Sequence, residues 1–485
     1  MSLQPQPQQH RRYTRIRVHN NDDTKRLYPL IVDYIREPEL ASSVKEFVFG
    51  SHLPWYETYF RKTDRPEVLR AEENARDVSD EHTISQLVTD LLGLEEPEKS
   101  SWVRIITWMK PELVAAREAA LAGDERQWEI EPFYRYRNKL FSHHAAALLL
   151  LLCPNIETLK YEEGSMIVED ILRLNNYGLL PQTQLKKLRD VTILPTSNIT
   201  LADGTSYVHL DILAMLRLFH RLPAIESVST DAVGPNHDGG YVDQFPPATS
   251  NLKRIRVGHS MHGTDVIGPL IGVPKRLEEF TLTTGGRCNY DGYTTRSAKT
   301  IGKALYHHKS SLRKIDIDID EYIGGDDEEY EEEYEEECEE DHTDEWYDRD
   351  MEISPGLTRI QSTREYGATI GSMHDFESLT HLSIGIGVLL GDYSWRVKED
   401  KEAPFRLVDA LPASLEYLLI RGYERGKVAR YDGQIDELLL LMPDRLPSLK
   451  EVHGIDKIIP IGLSIESPDD NYDQLWKPEI SDDEW

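Results

Sequence analysis

Apolar residues return along this chain in one short pattern: an apolar position, two others, an apolar position, one other, and an apolar position. Copies stand at Val44-Lys-Glu-Phe47-Val-Phe49, Ile156-Glu-Thr-Leu159-Lys-Tyr161, Leu188-Arg-Asp-Val191-Thr-Ile193, Leu252-Lys-Arg-Ile255-Arg-Val257 and Leu277-Glu-Glu-Phe280-Thr-Leu282. They continue at Leu312-Arg-Lys-Ile315-Asp-Ile317, Leu379-Thr-His-Leu382-Ser-Ile384 and Leu415-Glu-Tyr-Leu418-Leu-Ile420, with weaker copies beginning at Ile225 and Leu449. The closing alternation has the period of a strand. Between copies the period changes. Ile435, Leu438, Leu439 and Met442, and again Ala298, Ile301, Ala304 and Leu305, fall on one face of a helix. Pro154, Pro223, Pro274, Pro412 and Pro447 stand two or three residues before strand copies, where proline ends a helix and sets a turn.

A strand of this spacing joined to a helix in tandem is the unit of a leucine-rich repeat. The fold class expected is therefore α/β: an irregular leucine-rich-repeat solenoid (horseshoe) with parallel inner strands and outer helices, preceded by a helical N-terminal section. After the first copy, most starts lie 25 to 37 residues apart, and one gap is 67. That gap holds 18 Asp or Glu and one Arg between Asp326 and Glu352. Such a run cannot bury enough apolar surface to fold alone, so it reads as an insertion in one repeat's loop. The organisation expected is a disordered tail at 1–24, a helical section with the first repeat strand at 25–153, the repeat array at 154–465 with a disordered acidic insertion at 324–356, and an acidic tail at 466–485.

Ahead of the first copy, Leu27, Leu30, Ile31, Tyr34 and Ile35 make a helix face, followed by Arg36-Glu-Pro38-Glu-Leu40-Ala-Ser-Ser-Val44. This stretch resembles fungal F-box and leucine-rich-repeat proteins, in which a short helix, such a turn and the first repeat strand follow the F-box. The resemblance implies a Skp-type adaptor as partner and substrate recognition for a cullin ubiquitin ligase. Only 26 residues precede Leu27, Gln- and Pro-rich and then basic, so a chain lacking a complete F-box is expected. A stand-alone repeat scaffold or regulator with no ligase link is the other reading.

In a strand the residues between the apolar positions point to the opposite face. The expected partner-binding residues, on the concave face, are Arg254, Arg256, Glu279, Thr281, Lys314, Asp316, His381, Tyr417 and Arg421. Mixed charge with aromatics suits a protein partner. The formal charge of −31 argues against nucleic acid, whose binders present a basic face.

Other chemistry finds no support in the spacing. Cys153, Cys288 and Cys338 form no pair or zinc motif. His143-His144 and His307-His308 are adjacent, so each pair points two ways on a helix, and they read as surface or boundary histidines. Gly385-Ile-Gly387-Val-Leu-Leu-Gly391 has the wrong spacing for a dinucleotide loop. No catalytic role and no cofactor are expected. The longest apolar run, Ala145 to Cys153, is nine residues, against about 20 for a membrane span; an intracellular protein, cytoplasmic or nuclear, is expected, with no membrane partner.

Overall fold

The computed structural model describes residues 12–18, 21–50, 66–75, 80–121, 127–194, 207–235, 245–285, 296–319, 369–391 and 405–462. The acidic insertion and the C-terminal tail lie outside the described residues.

Thirteen strands are described: β1 Arg15–Val18, β2 Glu46–Phe49, β3 Thr158–Glu162, β4 Asp190–Leu194, β5 Val208–His209, β6 Ser227–Asp231, β7 Val233–Gly234, β8 Arg254–Gly258, β9 Glu279–Thr283, β10 Lys314–Asp318, β11 His381–Gly385, β12 Tyr417–Arg421 and β13 Glu451–His453. Eleven of them make a long parallel sheet in chain order, and β5 pairs with β7 apart from it. Helices alternate with these strands, so the chain is a mixed α/β protein of the kind a repeat solenoid requires. Two compact units divide it: the first comprises Met1–Thr196, Arg217–Ile225 and Glu479–Trp485, the second Ser197–Leu216 and Glu226–Pro478.

In the first unit β1 to β4 pair in sequence, with Ile16, Phe47, Leu159 and Val191 in one row. These side chains are buried. β1 and the helix that begins at Asn21 lie in the stretch expected to be a tail. Ile16 and Val18 bury their side chains there, which supplies the apolar burial that ordering needs. The long helix Gln127–Leu152 carries the run Ala145 to Leu151, all buried. His143 and His144, read above as surface or boundary residues, are buried with it, as is His308 in the second unit. The apolar helix end decides their position, since the residues beside a fully buried run share its surroundings.

The second unit repeats one backbone device at each strand. In the last three copies the opening residue donates its N–H three residues back, Leu379 to Phe376 (3.4 Å), Leu415 to Pro412 (3.0 Å) and Leu449 to Leu446 (3.0 Å). Just before each strand, a single carbonyl of the preceding copy then accepts two successive N–H groups. Lys253 O takes Glu278 (2.7 Å) and Glu279 (3.0 Å), Glu278 O takes Arg313 and Lys314, and Glu416 O takes Lys450 and Glu451. This fixes the register, so Ile255, Phe280, Ile315, Leu382, Leu418 and Val452 fall in one row. A one-residue slip would turn every apolar side chain outward. Beyond several strands the backbone takes positive φ: Ala232 (57°), His259 (41°), Gly285 (92°), Gly422 (71°) and Gly454 (83°).

Candidate functional site

The faces of β8 to β13 opposite the apolar rows present two rows of other side chains. The first runs Arg254, Glu279, Lys314, His381, Tyr417 and Glu451; the second runs Arg256, Thr281, Asp316, Ser383, Leu419 and His453. Strand pleating puts both on one side. Arg256, Glu279, Lys314, His381, Glu451 and His453 are exposed, and Ser383 is buried. All nine residues singled out from the sequence stand on this face, because each sits one position from a buried strand residue.

Two clusters form within it. Arg421, at the end of β12, donates from Nη1 to Asp316 Oδ1 (2.8 Å) and to Ser383 Oγ, while its Nε lies 3.6 Å from Asp318 Oδ2. Three strands are thereby held by one guanidinium. Its flat fork can address several acceptors at once. Asp318 is buried, and its two oxygens also accept the N–H of Gly462 (3.2 and 3.1 Å). The second cluster is a ladder of rings: His381 stacks on Tyr417 at 5.8 Å between centroids, and Tyr417 lies 5.3 Å from His453. Cross-strand ring pairs of this kind stabilise a sheet and present flat apolar surface.

On β8 the arrangement differs. Arg254 lies 3.9 Å from Glu226, which also takes Lys253 Nζ at 2.9 Å. Asp231 Oδ1 is 2.6 Å from His259 Nδ1. The copies' second positions alternate in sign beside the sheet, as in Glu226 with Lys253 and Glu416 with Lys450 (2.7 Å).

Asp318 and His453 were missed from sequence. Asp318 follows directly on Ile317, so alternation would have found it; His453 stands in the weak copy that ends at Gly454.

A repeated strand, turn and helix in fixed register characterises residues 379–454. Residues 358–462 match the leucine-rich repeat domain family. This leucine-rich repeat domain includes β11, β12 and β13, and with them the ring ladder and Arg421. No curated protein matches the chain. Below the exposed rows, burial holds one imidazole neutral. Desolvation pushes the His262 imidazole down to about 4, with a carbonyl contact to Leu210 opposing it. His262 Nε2 is 2.9 Å from that carbonyl, and Arg296 donates to the His262 and Ser260 carbonyls. This polar set is internal and closes a loop onto the repeats. Among the described residues no group of His, Cys, Asp and Glu could hold a metal ion, and no helix is long and apolar enough to cross a membrane.

Proposed function

We propose that the exposed strand face of β8 to β13 binds a protein partner, and that this non-catalytic recognition is the protein's role. The observation that carries the reading is the register: six neighbouring strands offer charged, hydroxyl and aromatic side chains in two continuous rows. Leucine-rich repeat arrays use such extended surfaces for binding. The ring ladder with Arg421 beside it has the residue types that dominate binding energy at interfaces. Within this reading the partner set includes a Skp-type adaptor and a cullin, with the repeats holding the substrate. The support for that link is the resemblance of residues 27–49 alone.

The test is quantitative purification of the tagged full-length protein from its native cells. A variant carrying Arg256→Glu, Lys314→Glu and Tyr417→Ala is compared with Asp444→Lys, on the helix Ala429–Arg445. Partners lost from the first and kept by the second are expected. Equal recovery from both would overturn the reading. Adaptor and cullin subunits in the wild-type sample support the ligase link, and their absence beside retained partners leaves a stand-alone scaffold.

A further inference from the structure

The strand face of β8 to β13 is chemically uneven. Among the described residues, Arg256 and Lys314 enter no ion pair and no side-chain hydrogen bond, and both are exposed. Thr281 of β9 stands beside Arg256 in the register, and Lys314 of β10 stands beside Glu279, two residues before Thr281. Strands lie about 4.8 Å apart and same-side residues roughly 6.6 Å apart along a strand, so a carboxylate set over Thr281 is within reach of both long cationic side chains. Asp316, next to Thr281 in the row, is already taken up by Arg421. Arg254 and Glu279 stand side by side in the other row and offset one another, which leaves Arg256 and Lys314 as the uncompensated charge.

Further along the sheet the character changes. Tyr417 lies between the rings of His381 and His453, and Leu419, two residues on along β12, shares its side of the sheet and is partly exposed. Between these two places Arg421, Asp316 and Ser383 satisfy one another, so the middle of the face offers contact and no free charge. We propose that this face recognises an extended segment of the partner crossing the strands, with an acidic side chain over Arg256, Thr281 and Lys314 and an aromatic or large aliphatic side chain on Tyr417 and Leu419. The spacing follows from the sheet. β9 and β12 are three strands apart, about 14 Å, which an extended chain covers in roughly four residues. Residues i and i+4 of such a chain point the same way. A helical segment rises about 1.5 Å per residue and would need the two anchors about nine residues apart. This inference rests on the binding role proposed above and names the chemistry of what is bound.

The experiment selects peptides from a phage-displayed random library on the purified full-length protein at low salt, then measures the affinities of the synthesised peptides by fluorescence anisotropy. Enrichment of an acidic residue and an aromatic or large aliphatic residue about four apart is expected. Arg256→Glu with Lys314→Glu, and separately Tyr417→Ala, are each expected to weaken binding roughly tenfold or more, while Asp444→Lys leaves it unchanged. A peptide whose acidic residue is replaced by lysine is expected to bind the charge-reversed protein more tightly than wild type, a result that a folding defect cannot produce. Selection of no peptide, a selected set without the pair, a spacing near the helical value, or affinities indifferent to the face variants overturns the proposal. The two readings fail separately. Native partners lost from the face variants, with no such pair selected, leave the binding face standing and remove the chemistry assigned to it, whereas native partners retained by those variants remove the binding face itself.

Discussion

Arg421 concentrates more of the face's electrostatics than any neighbour, since its guanidinium meets Asp316, Asp318 and Ser383 on two other strands. Asp318 is 3% exposed and Arg421 17%, so solvent screens these contacts weakly. Removing one partner of such a set leaves charge without compensation, which costs roughly 3–5 kcal/mol. Arg421→Leu is expected to lower the urea unfolding free energy by that order. Arg421→Lys is expected to recover only part, because an ammonium cannot span the acceptors of a fork. An unchanged unfolding midpoint in Arg421→Leu would refute this. Strand alternation was enough to place Arg421 from sequence. Its partners were not legible, since Asp316 is 105 residues away and only the strand order brings it near. The buried histidines escaped for a related reason: adjacency within a helix says that two rings diverge, but not that both faces are covered.

At the scale of elements, the helix Ala298–Tyr306 shows how local chemistry and packing agree. Ser297 caps it by accepting the N–H of Thr300 (3.2 Å), and Ile301, Ala304 and Leu305 are buried. Gly302 faces Ile370 so closely that a Cβ would overlap its carbonyl. Ser297→Ala is expected to cost about 1 kcal/mol, visible as faster amide exchange in the first turn and a small fall in unfolding midpoint. A loss indistinguishable from zero would mean that packing alone holds the helix start. The ten strand copies read from the sequence correspond to β2, β3, β4, β6 and β8 to β13, because the spacing records which side chains must be buried. β1 was overlooked although Tyr13-Thr-Arg-Ile16-Arg-Val18 has the same spacing; the arginines between its apolar positions gave it the appearance of a basic tail. Their side chains are partly covered, and Arg15 lies 3.6 Å from Glu46 on β2.

For the whole molecule, buried imidazoles set a pH dependence. Desolvation, the largest cause in each case, holds His143 at about 3, His144 at about 4 and His262 at about 4, all below the ordinary 6.5, and lowers His308 too. The unfolded chain therefore takes up protons first as pH falls. Stability from these groups is complete above about 6.5, declines below it, and levels off near 3 to 4. His143, His144 and His262 each withdraw on the order of 2 kcal/mol by pH 5. Urea midpoints measured from pH 7.5 to 4.5 are expected to fall monotonically, and a flat profile between 7 and 5 would contradict the assignment. The sequence pattern showed the mixed α/β class and the repeat, yet not where compact units divide. The first unit holds Met1–Thr196 together with Arg217–Ile225, and within it β2 pairs directly with β3 across the intervening helices. The clasp of Gly462 on Asp318 closes a loop of 144 residues, and it changes how the array would bear force. Tension on the chain beyond Gly462 loads β10 and β9 before it reaches β13, so the terminal strand is shielded from peeling and the last repeats would yield together, as a unit, once the clasp gives way.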